Sequence, residues 1–329
     1  MSPTKRTIRL AVGFLLLGIG IGFTVPWAFF VQETASRGHA LRIDNPAFPL
    51  IQPLLACGVD SQIPSSELDS LRSLLQDAVD RAVAAGSIQK AGVYVRDLNG
   101  GTWTAVNGDD EYIPGSLMKI ITLIGYINES ENNPTILDEV LTVDPSYKAS
   151  PQNIPPAVSA ESGKQYTVAE LLTIMITYSD NVASHTLIEH MKAEELNGLL
   201  NALELPSFSD EEHYTITPRL YSRLLRVLHN STLLTAQDSE RILEMLSRSD
   251  YRDALVSGVD ATEAVAHKFG DVTLANPDGT TAYQHHDCGI VYAKNPYLIC
   301  VMTEGNDLQT LASTIASFAT TTDTFMNSR

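Results

Sequence analysis

Ser116-Leu117-Met118-Lys119, Ser179-Asp180-Asn181 and His267-Lys268-Phe269-Gly270 stand in that order along the chain, and their reading decides the fold. The first string follows Pro114-Gly115, so Ser116 is expected at a helix start, where its hydroxyl meets the positive end of the helix dipole. Lys119, three positions on, falls on the same helical face. Serine is a poor nucleophile until a base takes its proton, and a buried lysine near other cations can be neutral enough to serve. The second string offers a hydroxyl followed by an amide, and the third a cation beside a glycine on an expected strand edge.

The first and third strings alone are weak, and the second, an exact tripeptide expected by chance well under once, is more specific. Ser-x-x-Lys arises by chance about once in a chain this long, as a helix cap followed by a surface lysine. Ser179-Asp180-Asn181 also reads as a polar turn between helices. His267-Lys268-Phe269-Gly270 also reads as a charged strand residue beside a glycine bulge.

Their conjunction is more specific. With Ser116 and Ser179 standing 63 positions apart, the set resembles the class A β-lactamase-like branch of the penicillin-recognising serine hydrolases. Tyr214-Thr215-Ile216-Thr217-Pro218 resembles a helix start of that family. His286-Asp287-Cys288-Gly289-Ile290-Val291-Tyr292 with Pro296-Tyr297-Leu298 resembles its closing hairpin. The resemblance runs from about Ser65 to the C-terminus.

The resemblance implies the roles. Ser116 would be the nucleophile and Lys119 its base. Ser179 would relay a proton to the leaving nitrogen, and Asn181 would bind the substrate's amide carbonyl. Lys268 would face Ser179 and a substrate carboxylate. Beyond Gly270, the backbone N–H of Asp271 would join that of Ser116 in an oxyanion hole. The implied substrates are β-lactams or D-Ala-D-Ala-type cell-wall peptides. The implied reaction is amide cleavage through an acyl-enzyme, without a cofactor. A degenerate member that binds such ligands without turnover is the alternative.

Two departures limit the claim. The family carries a Glu-x-x-Leu-Asn loop whose glutamate activates the deacylating water. Here the stretch from Leu203 to Tyr214 holds Glu204, Glu211 and Glu212 but no such string. Phe269 stands where the family has threonine and removes a hydroxyl for the ligand's carboxylate, while Asp271 adds a negative charge.

The rest of the chain fits an enzyme at a membrane surface. The net charge of -17 argues against nucleic acid, whose phosphates need a basic face. Lys5, Arg6 and Arg9 precede an uncharged run, 10–31, long enough to span a bilayer as a helix. Trp27, Phe29 and Phe30 sit at its far end, where interfacial aromatics belong. Positive residues on the near side put residues 1–9 in the cytoplasm and the rest outside. An uncleaved anchor is the expectation over a cleaved signal peptide, because the run is long and the small-residue site near Ala35 is weak. Gly18 and Gly22 give a weak helix-pairing pattern. Leu54-Leu55-Ala56-Cys57 has the form of a lipobox, but lies too far beyond the apolar run to be one.

Residues 32–64, with Pro46, Pro49, Pro53 and Pro64, read as a linker, and 65–329 as one catalytic domain. Apolar periodicity predicts a helix from Ser65 to Gly86, strands over 90–98 and 102–106, and helices over 117–127, 168–188, 217–228 and 236–246. Strands over 288–292 and 297–303 and a helix over 307–318 close the chain. The expected class is mixed α/β (α+β): an antiparallel sheet built from both ends of the domain and flanked by helices, beside a mostly helical lobe. Cys288 and Cys300 flank a hairpin and are near enough to pair, but cysteine is commonly just a small core residue, and two buried thiols are expected. No Cys or His spacing of a metal site occurs.

Overall fold

The computed structural model describes residues 45–53, 65–149, 151–206, 214–276 and 278–329. The expected anchor over 10–31, most of the linker and Cys57 lie outside these residues. Among the described residues, no helix is long and apolar enough to cross a membrane.

The first helix, α1 (Asp69–Ala84), follows a single 3-10 turn at Ser66–Leu68. Strands β1 (Lys90–Asp97) and β2 (Trp103–Val106) follow as a hairpin around the Asn99-Gly100-Gly101 turn. Helices α2 (Lys119–Ser130), α3 (Val168–Thr177), α4 (Asn181–His190), α5 (Ala193–Ala202), α6 (Pro218–His229) and α7 (Ala236–Ser247) form the middle of the chain. Strands β5 (Ala264–Ala275), β6 (Thr281–Tyr292) and β7 (Tyr297–Gly305) return to the sheet, and α8 (Leu308–Asn327) closes the domain. A two-stranded ribbon, β3 (Val140–Thr142) with β4 (Gln165–Thr167), sits within the helical part.

The main sheet runs β2-β1-β7-β6-β5, antiparallel throughout, so strands from both ends of the domain meet at β1 and β7. Strand alternation gives each face its own core. Ala91, Val93 and Val95 of β1 and Ile299 and Val301 of β7 face a cluster with Leu71 and Leu75 of α1 and Ile315 and Phe318 of α8. Tyr94, Leu298, Cys300 and Met302 face the opposite cluster, shared with α2, α3, α6 and α7. Thus β7 is apolar on both faces, as a central strand must be, and β5 is left at the edge, where it borders the cavity described below.

The helices start where side chains cap them. Thr167 and Glu170 form a reciprocal capping box on α3. Thr217 caps α6 with Pro218 in its first turn, and Thr235 caps α7.

Several boundaries differ from expectation. The apolar run at 117–127 opens as a 3-10 turn, Gly115–Met118, before α2 proper. Strand β6 begins seven residues before Cys288, through the polar Tyr283-Gln284-His285-His286-Asp287, and α8 continues nine residues past Phe318 through its threonines. Alternation is masked where polar side chains are bonded inside the protein.

Cys288 and Cys300 correct the expectation of free thiols. They are directly opposed in the β6–β7 ladder and joined as a disulfide. The bridge closes a 12-residue separation. In the chain-entropy account such a loop contributes about 3 kcal/mol by restricting the unfolded state. Reduction should therefore lower the urea midpoint by the equivalent of about 2–3 kcal/mol, with a slightly steeper slope as the unfolded chain is released. An unchanged midpoint after verified reduction would contradict this.

Candidate active site

The turn that carries Ser116 is formed by backbone contact with strand β5. Gly115 has φ +53°, and a Cβ there would meet the carbonyl oxygen of Asp271 at 2.7 Å. Reciprocally, a Cβ on Gly270 would meet the carbonyl oxygen of Pro114 at 2.6 Å and the amide nitrogen of Leu117 at 2.8 Å. Two glycines therefore let the turn and the strand approach more closely than any side chain allows. This contact brings Ser116 beside Asp271.

The sheet also clamps the approach to the turn. Gln284 accepts a hydrogen bond from Ile113 N–H at 2.8 Å, and His286 Nε2 lies 3.1 Å from the Ile113 carbonyl. His286 Nδ1 accepts from Thr303 N–H, which fixes Nε2 as the donor. Burial, then neighbouring His285, lowers the His286 pKa to about 3, so the ring stays neutral. The Gln284 amide donates in turn to Glu304 at 2.7 Å. From the helical lobe, buried Tyr221 donates its hydroxyl to the Leu117 carbonyl at 3.0 Å.

Lys119 opens α2 with its side chain buried. Its ammonium lies 3.0 Å from Ser116 Oγ, 2.7 Å from Asn181 Oδ1 and 3.3 Å from Ser179 Oγ. It also donates to the Ser179 carbonyl. Burial lowers its pKa to about 8, against the opposing attraction of Asp180 and Asp271.

The second string forms the junction of α3 and α4. Ser179 has φ +58°, a left-handed conformation that costs a non-glycine residue about 1 kcal/mol or more. Asp180 caps α4 by accepting from Ala183 N–H at 2.7 Å and also holds Ser159 and Ala160. The Gln152 amide brackets the turn, donating to the Ser179 carbonyl at 3.0 Å and accepting from Asn181 N–H at 3.1 Å.

Lys268 is fully buried. Its ammonium donates to Ser179 Oγ at 2.9 Å and to the Phe269 carbonyl at 2.7 Å. It lies 4.1 Å from the centre of the Phe269 ring. Burial, and next the charge of Lys119, hold it well below the usual lysine range. Ser179 Oγ thus lies between two amines. His267 bonds Asp287 at 2.8 Å beneath the strand, where Asp287 also accepts from Leu255 N–H.

Of the seven residues expected at the site, Ser116, Lys119, Asn181 and Asp271 line a cavity of about 490 Å³, together with Thr122, Ser184, Ile188 and Tyr214. Ser179, Lys268 and Gly270 lie outside that lining, joined to it by the contacts above. Glu204 pairs with Arg223 at 2.6 Å with its side chain 77 % exposed, and is not among the lining residues. Glu211 and Glu212 lie outside the described residues. Asp271 is the one carboxylate among the described lining residues.

Sequence reading missed Gln152, Asn153, Gln284, His286 and Tyr251. Gln152 and Asn153 lie in an irregular segment whose partners are set only by the fold. Gln284 and His286 left a trace, two polar residues at strand spacing on one face of β6.

A sequence profile described as the beta-lactamase enzyme family matches residues 74–324. No curated protein matches the chain. Among solved structures, a variant of PBP-A described as its acyl-enzyme complex with penicillin G is 23% identical at a TM-score of 0.65. The match covers 80% of this chain and 98% of that one. A class A beta-lactamase from Bacteroides cellulosilyticus is 21% identical at a TM-score of 0.66, over 79% of this chain and 99% of its own. A beta lactamase from Xanthomonas campestris is 15% identical at 0.64, over 77% and 98%. These likenesses establish the β-lactamase-like fold.

Two predictions follow from the turn's supports. Gly270→Ala forces backbone apart and should cost about 1–3 kcal/mol in stability. Thermal melting checks it, and an unaltered Tm would refute it. His286 is held below its unfolded value of about 6.5, so the unfolded chain binds the extra proton between about 3 and 6.5. Stability should therefore fall as the pH is lowered through that window and level off above it. Urea titrations of His286→Gln should show a shallower fall, and an identical pH dependence would contradict the assignment.

Proposed function

Because the chain belongs to the beta-lactamase enzyme family, we propose that it is a membrane-anchored serine hydrolase that cleaves an amide of the β-lactam type through an acyl-enzyme on Ser116. The observation that carries this is the Lys119 ammonium 3.0 Å from Ser116 Oγ, in an environment that lowers its pKa to about 8. Near neutrality a useful fraction of such an amine is unprotonated and can act as a general base.

In this reading Ser116 Oγ attacks the amide carbon while Lys119 takes its proton. The oxyanion is received by the backbone N–H groups of Ser116 and Asp271. Collapse breaks the carbon–nitrogen bond. The leaving nitrogen takes a proton from Ser179 Oγ, which is resupplied from the amines of Lys119 and Lys268. Asn181 orients the acyl side chain's amide. Water then releases the product and regenerates Ser116.

The absence of any lining carboxylate but Asp271 among the described residues favours slow release. A D-Ala-D-Ala-type peptidase, or a protein that binds penicillin or peptidoglycan without turnover, shares the same acylation machinery. The run at 10–31 would hold the domain on the outer face of a bacterial cytoplasmic membrane.

Incubation with penicillin G should add one intact ligand mass to Ser116, located by peptide mapping. Ser116→Ala should abolish the adduct, and Lys119→Met should slow its formation about 10²–10⁴-fold. An adduct persisting for hours would identify the peptidase or binding protein, and rapid release a β-lactamase. No adduct on Ser116 would reject the reading.

A further inference from the structure

We propose that the acyl donor presents a cationic or neutral hydrogen-bond-donating group, and not a carboxylate, to Asp271 in the cavity lining, with Asp271 and Phe269 setting that preference. The inference rests on Ser116 being the acylated residue.

The charge pattern carries it. The charged groups among the described residues lining the cavity are Lys119 and Asp271. Lys119 is 6 % exposed and its ammonium is engaged by Ser116, Ser179 and Asn181. Asp271 is partly exposed on the edge strand, beside the turn that bears Ser116. Asn153 fixes its carboxylate by donating to Oδ2 at 2.8 Å, and is itself tied to Thr273 at 3.0 Å. A negative group is therefore built into the cavity lining and oriented there by Asn153.

The cation that could offset it is sealed off. Lys268 has no exposed surface, and its ammonium donates to Ser179 Oγ and the Phe269 carbonyl under the Phe269 ring. Phe269 is only 3 % exposed. Tyr251 packs against it with ring centroids 4.1 Å apart, and the Tyr251 hydroxyl is held by His285 Nε2 at 2.8 Å. The wall over Lys268 is thus a braced aromatic pair. An anionic ligand would meet Asp271 without reaching Lys268, and the net charge of -17 adds to the repulsion. A ligand ammonium or amide N–H would instead find an oriented carboxylate.

The test compares penicillin G with its methyl ester and its 2-aminoethyl ester, which take the carboxyl position from anionic through neutral to cationic. Second-order rates of Ser116 acylation are read by intact-mass spectrometry at low salt. The expected order is cationic, then neutral, then anionic, with about tenfold between the ends and a smaller spread at high salt. Asp271→Asn should compress the spread several-fold. Phe269→Thr, which opens the wall over Lys268, should raise the free-acid rate relative to the esters. A free acid that reacts fastest with the wild-type chain overturns the inference while leaving acylation at Ser116 intact. So does a spread that Asp271→Asn leaves unchanged. Adducts with none of the three overturn the acylation reading and this inference with it.

Discussion

The site depends on one buried amine. Lys119 has been taken out of water and surrounded by oxygens of Ser116, Ser179 and Asn181. Burial favours the neutral form, while those acceptors and the more distant carboxylates favour the charged one. The balance brings the amine near the range where it can exchange a proton with a serine. Other features of the site serve to keep this balance: a helix that opens at Lys119, a strained serine that turns its carbonyl inward, and an asparagine at the start of α4.

The sheet does the positioning. Strand β5 touches the Ser116 turn through two glycines, so backbone lies against backbone with no side chain to relax. Strand β6 holds Ile113 by both its N–H and its carbonyl through Gln284 and His286. A neutral imidazole suits this task because Thr303 and Ile113 fix one nitrogen as acceptor and the other as donor. The Ser116 turn thus rests against the sheet, and the helical lobe contributes Ser179, Asn181 and Gln152.

Much of this could be read from the residues. Chemistry confined to short strings, such as Ser116 with Lys119 or Ser179 with Asn181, is legible because one helical turn or one tight loop determines the geometry. The antiparallel sheet drawn from both ends was legible from the short apolar runs of β1 and β7 and the turn at Asn99-Gly100-Gly101. The disulfide was not, because pairing depends on the β6–β7 register, which separation alone does not set. The polar start of β6 was hidden for a related reason: Gln284 and His286 bond Ile113, far back in the chain, and His285 and Asp287 bond Tyr251 and His267 of other elements. Phe269 was visible as a substitution, but its function as a cover over Lys268 required the bracing Tyr251.

The functional account therefore turns on the state of Lys119, and one measurement addresses it without reference to any substrate. Selective ¹³Cε or ¹⁵Nζ labelling, with Lys119→Met to assign the resonance, allows its titration to be followed by NMR. The account predicts a midpoint near 8, well below the ordinary lysine value of about 10.4. A midpoint at the ordinary value would mean that Lys119 stays charged at neutral pH and is not the base that activates Ser116.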